Sequence, residues 1–440
     1  MYAHPANIYV PVKRKEWFIT NPVHKTADMI PSNVGSYLSG KGSQRPDEEM
    51  LEVLHTRGYI TETPVSLPDI YNTMPPEPTS FVGFSIAVTY DCNLQCSYCF
   101  QGTDPGMNTR NTATLTPEKI ELLSDAIDIL KRKYLILSST DKIIEFTGGE
   151  PLLPSNYSLV ESLLSILKND NILITTNGTY VSDFIDLLSS YLVRLKITVD
   201  GTPSVHNKRR KTSANKGTYH QIIDGIQKAR DAGIPVIVKV NIDPGNIDNL
   251  RLLLDKFKLY KWTEDTEITL GLSRVRATPQ YPSMFTEAEY VEHICSYLEK
   301  YSLQEYFEVS FTGSKYFKNI ISGEEPKTSM HRCRNDRAFF FSPDGLIYPC
   351  ILMTSYPVGT FFPQFFLDEA KLDALTSRTI RTLPQCMKCP YALLCGGGCP
   401  AESMNMYDSI FHSLCTDYPR ILKVYIPYLL RTRSREESTT

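Results

Sequence analysis

No stretch of the 440 residues is long and apolar enough to cross a membrane as a helix, and no apolar core follows the first charges as a secretory signal would. Neither sign of charge is in excess: 46 Lys and Arg stand against 49 Asp and Glu, a net charge of -3. That balance excludes the broad positive field of a nucleic-acid binder. The one basic run, Lys208-Arg209-Arg210-Lys211, has the ordinary explanation of a solvated face. The expectation is a cytoplasmic protein with no membrane and no nucleic-acid partner.

Cysteine, by contrast, is plentiful. Eleven cysteines in a chain expected to stay in a reducing compartment point to metal ligation or redox chemistry before disulfides. Their placement is uneven: Cys92, Cys96 and Cys99 fall together, Cys295 stands alone, and Cys333, Cys350, Cys386, Cys389, Cys395, Cys399 and Cys415 form a late group. Two groups more than 200 residues apart suggest two cofactor-binding regions. Cys295 shares a helical stripe with Val291 and Leu298 and reads as a packed core thiol.

Residues 1–75 read as a small α+β unit. Short strands at 8–12 and 16–20 and a third near 27–30 precede helices at 33–38 and 48–57, with Gly58 as a C′ residue. Pro64, Pro68, Pro75, Pro76 and Pro78 then read as a linker. From 81 to 275, strands at 84–89, 143–147, 171–176, 193–199, 235–242 and 267–273 alternate with helices at 117–134, 157–167, 182–188, 219–232 and 247–257, Thr116 capping the first helix. The strands are apolar and β-branched, as strands buried on both faces would be. Six β/α units are too few for a closed eightfold barrel and suit a partial TIM-like barrel or a doubly wound sheet, either of which places chemistry at the carboxyl ends of its strands. Residues 276–325 read as a helical bridge containing a helix at 287–301. Beyond residue 327 the chain reads as loop-rich, with a hairpin about Pro343-Asp344-Gly345, and the last ten residues as a disordered polar tail.

Cys92, Cys96 and Cys99 form C-x3-C-x2-C directly after the first barrel strand. Three thiolates can hold three irons of a cubane cluster and leave the fourth open to a ligand. An incomplete zinc site is the plainer alternative. The segment Cys92-Asn93-Leu94-Gln95-Cys96-Ser97-Tyr98-Cys99 resembles the cluster loop of the radical S-adenosylmethionine (SAM) superfamily, and three further segments match in order. These are Thr147-Gly148-Gly149-Glu150-Pro151, similar to the segment that holds the methionine amino group; Thr175-Thr176-Asn177-Gly178; and Ile197-Thr198-Val199-Asp200-Gly201 with His206 and Arg209 beyond it. The resemblance implies a [4Fe-4S] cluster on the three cysteines and cofactor contacts at Tyr98, Gly148, Gly149, Glu150, Pro151, Asn177, Thr198, Asp200 and Arg209. It also implies reductive cleavage of SAM to a 5′-deoxyadenosyl radical that abstracts hydrogen from carbon, the protein supplying orientation and exclusion of water.

In the late group, C-x2-C-x5-C-x3-C from Cys386 to Cys399, with fifteen residues between Cys399 and Cys415, leaves a zinc ribbon open as an alternative. Seven thiols also divide as four and three. The run is similar to the SPASM extension of many radical SAM enzymes. Carried over, the family pattern gives Cys386, Cys389, Cys395 and Cys415 to a distal auxiliary cluster and Cys333, Cys350 and Cys399 to a proximal one, making three [4Fe-4S] clusters in all. No cysteine occupies residues 325–332, which leaves the proximal cluster an open iron or a ligand such as His331.

The domain expectation is therefore a possible leader-peptide-recognition, winged-helix-like unit at 1–75, a partial (β/α)6 barrel at 81–275, a bridge at 276–325, a SPASM domain at 326–425 and a polar tail at 426–440. Sulfatase-maturing relatives carry an Asp after the hairpin cysteine, where this chain has Ile351. The resemblance thus favours maturation of a ribosomally made precursor peptide bearing a leader, with electrons from a flavodoxin- or ferredoxin-type donor. The alternatives are a dehydrogenase of a small molecule or carbohydrate, a sulfatase-type maturase, and a zinc-stabilised scaffold.

Overall fold

A computed structural model describes residues 1–75, 82–101, 112–134, 144–276, 281–282, 284–333 and 337–439, with side chains to 434. Pro76, Pro78, residue 81, Ile143 and Thr440, all used in the expectations above, lie outside the described residues.

The chain opens with β1 (Tyr2–Ala3), β2 (Ile8–Lys13), β3 (Glu16–Asn21) and β4 (Thr26–Pro31), then α1 (Ser32–Leu38), α2 (Glu48–Thr56), β5 (Ile60–Thr61) and α3 (Leu67–Thr73). β2, β3 and β4 form an antiparallel sheet with β4 at its edge, while β1 pairs with β5. Ile19, Ile30, Val34, Leu51, Leu54 and Tyr59 form the core of this unit. The expected Pro-rich linker is in part a helix. Pro68 sits in the first turn of α3, where a missing N–H costs nothing, and Ser66 caps that turn by accepting from the Asp69 N–H. α3 does not stand apart either. Leu67 and Tyr71 share a core with Ile380, Leu383, Cys386 and Leu393, and the Tyr71 hydroxyl donates to the Cys389 carbonyl at 2.8 Å.

The central sheet is built from β6 (Gly83–Thr89), α4 (Pro117–Lys133), β7 (Ile144–Gly148), α5 (Tyr157–Ile166), β8 (Ile172–Thr176), α6 (Val181–Leu188), β9 (Val193–Thr198), α7 (Pro203–Arg209), α8 (Tyr219–Asp231), β10 (Val236–Ile242), α9 (Leu250–Leu259) and β11 (Ile268–Arg274). The six strands lie parallel and in chain order, as an open partial barrel requires. Thr116 caps α4, accepting from the Lys119 N–H. α10 (Glu287–Tyr301) starts with a full capping box from Thr286 and Glu289 and buries Cys295 completely.

The strands are not buried on both faces. Ile144, Phe146, Ile172, Ile174, Leu195, Ile197, Val238 and Val240 face the helices and are buried. The alternate positions, among them Glu145, Thr175, Lys196, Thr198, Lys239 and Asn241, are half-buried and mostly polar. In a curved sheet the inner face lines a chamber rather than a packing layer, so period-two patterning returns. There Glu145 accepts from Thr175 at 2.5 Å and pairs with Lys196 at 3.1 Å.

After α11 (Ser314–Ser322), β12 (Ala338–Phe341) adds parallel to β6, and β13 (Leu346–Tyr348), β14 (Gly359–Thr360) and β15 (Phe366–Leu367) extend the same sheet antiparallel. The rest is more helical than the sequence suggested: α12 (Glu369–Ser377), α13 (Ala392–Cys395), α14 (Pro400–Tyr407) and α15 (Tyr418–Thr439). α15 replaces the expected polar tail. Its first half carries an apolar stripe, with Tyr418, Ile421, Leu422, Tyr425 and Ile426 buried, and packing against α10 and β2 outweighs the polar end. Among the described residues no helix is long and apolar enough to cross a membrane.

Candidate functional site

Cys92, Cys96 and Cys99 leave the carboxyl end of β6 on a loop held from two sides. On one side the loop pairs with the segment after α7: the Gln95 N–H donates to the Lys211 carbonyl at 2.7 Å and the Ser97 N–H to the Arg209 carbonyl at 3.1 Å. On the other, the turn after β7 docks on it. The Gly149 N–H donates to the Thr89 carbonyl at 2.7 Å and the Glu150 N–H to the Asp91 carbonyl at 2.8 Å. This approach is why glycine is needed: a Cβ on Gly148, whose φ is +126°, would lie 2.1 Å from the Thr89 oxygen, and one on Gly149 2.0 Å from the Asp91 oxygen. All three thiols are partly exposed; the Cys92 sulfur receives the Leu94 N–H at 3.4 Å and the Asn177 amide at 3.8 Å.

Glu150 turns inward rather than toward the mouth. Its carboxylate is fully buried and accepts from Thr176 at 2.5 Å, from the Asn177 N–H at 2.6 Å and from the Leu152 N–H at 2.9 Å. Burial lifts its pKa above the usual carboxylate range, these hydrogen bonds pulling the other way. Contacts to a ligand from this turn are left to backbone groups beside the buried Pro151. Asn177 bridges β8 to the cysteine loop through Asn93, at 2.8 Å.

A charged network closes the opposite wall. The Tyr98 hydroxyl donates to Asp200 and receives Arg210 at 2.9 Å and Asn241 at 3.2 Å. Arg209 stacks 4.9 Å from the centre of the Tyr98 ring and pairs with Asp243 at 2.6 Å and with Asp200 at 3.5 Å. His206 Nδ1 receives the Asp200 N–H at 3.3 Å, so the neutral ring carries its proton on Nε2, toward Thr218. Burial, then the charges of Arg210 and Arg209, push His206 down to about 3. Burial works against the charge on Arg209, but Asp200, Tyr98 and Asp243 outweigh it and its pKa ends above the usual value. The basic run is therefore not a solvated face: Arg209 and Arg210 are only 6% and 7% exposed. Thr198 lies on the inner face of β9, paired in register with Lys239.

The structure thus brings Gly148, Gly149, Glu150, Asn177, Asp200 and Arg209 to the loop that carries Tyr98 and the three cysteines; Pro151 follows the glycine turn, and Thr198 lies two residues before Asp200 at the end of β9. Arg210, Asn241, Asp243 and Tyr281, whose hydroxyl reaches Asp243 at 3.3 Å, went unread in the sequence. Their signal was only position: Arg210 follows α7, Asn241 lies near the end of β10 with Asp243 just past it, and Tyr281 lies beyond β11. Arg209 Nε faces Asp200 at 3.5 Å, while Arg210 Nε is buried without a hydrogen bond, which fits a site completed by an anionic cofactor group such as a carboxylate.

The late cysteines separate into two sets. Cys386, Cys389, Cys395 and Cys415 line one cavity, walled by Tyr391 and Tyr418. Burial, then Cys395, Cys389 and Cys415, push Cys386 up to about 12, and a metal bound among these sulfurs would be what holds them as thiolates. Gly396, Gly397 and Gly398 all have positive φ, which turns the chain between Cys395 and Cys399 and sends Cys399 to the other set. That set is Cys333, Cys350 and Cys399. Burial, with Cys399 behind it, pushes the Cys333 thiol up, and burial, with Cys333 and Cys399 behind it, pushes up Cys350; Arg276 lies beside Cys399 and Cys350. The His331 ring meets the Thr376 carbonyl at 3.3 Å.

Comparisons with known proteins agree with this geometry. A GTP 3′,8-cyclase of Listeria monocytogenes is 32% identical over 179 residues, 39% of this chain and 50% of the relative; the chain thus spans about half the length of the first curated relatives it matches. A cysteine-type anaerobic sulfatase-maturating enzyme of Clostridium novyi is 23% identical over 330 residues, covering 70% of this chain and 85% of the relative. Among solved structures, anSMEcpe with bound AdoMet and Kp18Cys peptide superposes with a TM-score of 0.60 at 18% identity, over 80% of this chain and 99% of that one. Streptococcus suis SuiB bound to S-adenosylmethionine does so with a TM-score of 0.54 at 13% identity, over 94% and 99%. The sequence model of the radical SAM superfamily matches residues 86–255, the stretch that carries the cysteine loop, the glycine turn and the Tyr98–Asp200 network, so this enzyme carries a radical SAM domain there.

Proposed function

We propose that this enzyme matures a ribosomally made peptide, using one [4Fe-4S] cluster at Cys92, Cys96 and Cys99 to cleave SAM and two auxiliary clusters behind the barrel to handle electrons. The observation that carries the reading is the division of the late cysteines: four around one cavity and three around Arg276. A trio at the mouth leaves one iron free for the amino and carboxylate groups of SAM, whose reductive cleavage supplies the hydrogen-abstracting radical.

The chain's own residues orient and shield. Backbone at Gly148–Pro151 flanks the cluster loop and suits the cofactor's ammonium. Arg209 and Thr198 face the side where the cofactor's carboxylate and ribose would lie, with Asp200 held in place by Tyr98 and the Asn241 N–H. The polar chamber of Glu145, Lys196 and Lys239 receives substrate and keeps the reacting carbon beside the cofactor. A peptide substrate is favoured by the relatives: one is named for maturing a sulfatase, and one solved structure holds a peptide. The edge strand β4 and the following helices form a unit on which the extended leader of a precursor adds as another strand. An external flavodoxin- or ferredoxin-type protein delivers the first electron. A reaction on a small molecule draws support from the cyclase relative, but that likeness covers only 39% of this chain.

The test is anaerobic purification, an iron and sulfide count, reduction in the presence of SAM, and an assay for 5′-deoxyadenosine with and without short precursor peptides encoded beside the gene. About twelve irons per chain, cofactor cleavage and a mass change in one peptide are expected. Zinc in the late cysteines would remove the auxiliary clusters from the reading; turnover of a small molecule in place of any peptide would replace the substrate.

A further inference from the structure

Arg378 ends α12 and is only 3% exposed, yet among the described residues no carboxylate lies within 4.0 Å of its guanidinium. Its hydrogen bonds go to neutral groups: Nε to the Ile410 carbonyl, and Nη2 to the carbonyls of Gly397 and His412, each at 3.0 Å. A buried cation needs compensating charge, because desolvation costs several kcal/mol per ion and carbonyl dipoles offset only part of it. Burial, the largest influence, pulls the Arg378 pKa below its usual value, and cysteines of both sets act against it: Cys386 and Cys395 from the four that line the cavity, Cys399 and Cys333 from the three beside Arg276. The placement is close. Arg378 Nη1 and the Cys386 sulfur lie 3.6 and 3.7 Å from the point a Cβ on Gly397 would occupy. Gly397 belongs to the turn that divides Cys395 from Cys399, so the guanidinium sits where the two sets diverge.

We propose that Arg378 is the shared counter-charge of the two auxiliary clusters and sets their reduction potentials. The proposal rests on the reading that both cysteine sets hold clusters. Each such cluster with its thiolates is a net anion and becomes more negative on reduction, so a fixed cation between the two favours the reduced form of both and raises both potentials. The low local dielectric makes one charge effective on two neighbours, and salt in the solvent screens it little. Arg378 touches no substrate or cofactor in this account. It tunes, and through Gly397 and His412 it also ties the cysteine loops together.

The test uses the full chain with Cys92, Cys96 and Cys99 all changed to Ala, so that only the auxiliary clusters report. Iron content and redox titration followed by electron paramagnetic resonance are compared for this background and for Arg378→Gln and Arg378→Lys within it. About eight irons per chain are expected in the background. With full loading, Arg378→Gln should lower both midpoint potentials while Arg378→Lys stays at the background values. If Arg378→Gln fails to load and Arg378→Lys loads fully, the positive charge is again what the clusters require. The proposal is overturned if Arg378→Gln loads fully and titrates unchanged, if Gln and Lys shift the potentials equally, or if both lose iron, each of which assigns Arg378 to hydrogen bonding alone. A background protein with no auxiliary iron overturns the cluster reading itself, and the proposal with it.

Discussion

The two cysteine regions are built on opposite plans. Cys92, Cys96 and Cys99 sit on a partly exposed loop at the mouth of the barrel, held by backbone from neighbouring turns and faced by a charged network that reaches Arg209, Asp200 and Asp243. Cys386, Cys389, Cys395 and Cys415 enclose a cavity walled by aromatic rings, with backbone turns of glycine and a single buried arginine nearby. Cys386 and Cys395 are buried while Cys415 is exposed, so the late set is covered on one side only; a cluster there that passed electrons would need closure by protein ligands, whereas a site that admits a cofactor needs an open metal position and polar walls.

That contrast can be broken in order of expected effect. Changing Cys92, Cys96 and Cys99 to Ala should abolish 5′-deoxyadenosine formation and remove about four irons per chain while the late cysteines stay loaded. Retained cofactor cleavage would erase the distinction between the regions. Changing Cys386 and Cys389 to Ala should leave cofactor cleavage measurable but uncouple it from peptide product; equal loss of both would make the late set structural support for the mouth. Asp200→Asn weakens the Tyr98–Arg209 network, and equilibrium binding should show SAM affinity lower by about 10- to 100-fold, as for a buried charged hydrogen bond left unmade. Gly148→Ala should lower stability by about 2–4 kcal/mol, because the added methyl meets the Thr89 oxygen and φ is positive. Urea unfolding of the loaded protein reads this change.

The smallest expected effect is on pH. His206, pushed down to about 3, and His4, pushed down to about 4 by burial and then by His24, are neutral in the fold and protonate in the unfolded chain near 6.5. Between about pH 6.5 and 4 the unfolded state therefore binds more protons, so the stability these residues contribute is complete above that window and is lost as pH falls through it. Unfolding midpoints flat above pH 7 and declining below 6.5 are expected, with His206→Gln flattening part of the decline.

Much of this was legible in order along the chain. The alternation of strand and helix, the Thr116 cap and the two cysteine groups are local patterns, and local patterns survive folding. Three readings failed for tertiary reasons. The inner face of the sheet resembles a buried one in sequence because Thr and Lys stems are largely apolar, yet it lines a chamber. Arg209 and Arg210 look solvated until Asp200, Asp243 and Tyr98 arrive from three other segments. The polar tail becomes the end of α15 because Tyr418, Ile421 and Tyr425 upstream find α10 and β2 to pack against.

By itself the sequence determined the number and spacing of the thiols, the glycines that let backbone approach backbone, and the alternation of strand and helix, since each depends on residues near one another in the chain. Which thiols share a cavity, which cations are buried and which face of the sheet is wet were decided only in three dimensions. Cys386 and Cys415, or Arg378 and Cys333, become neighbours through packing between elements that no local preference encodes.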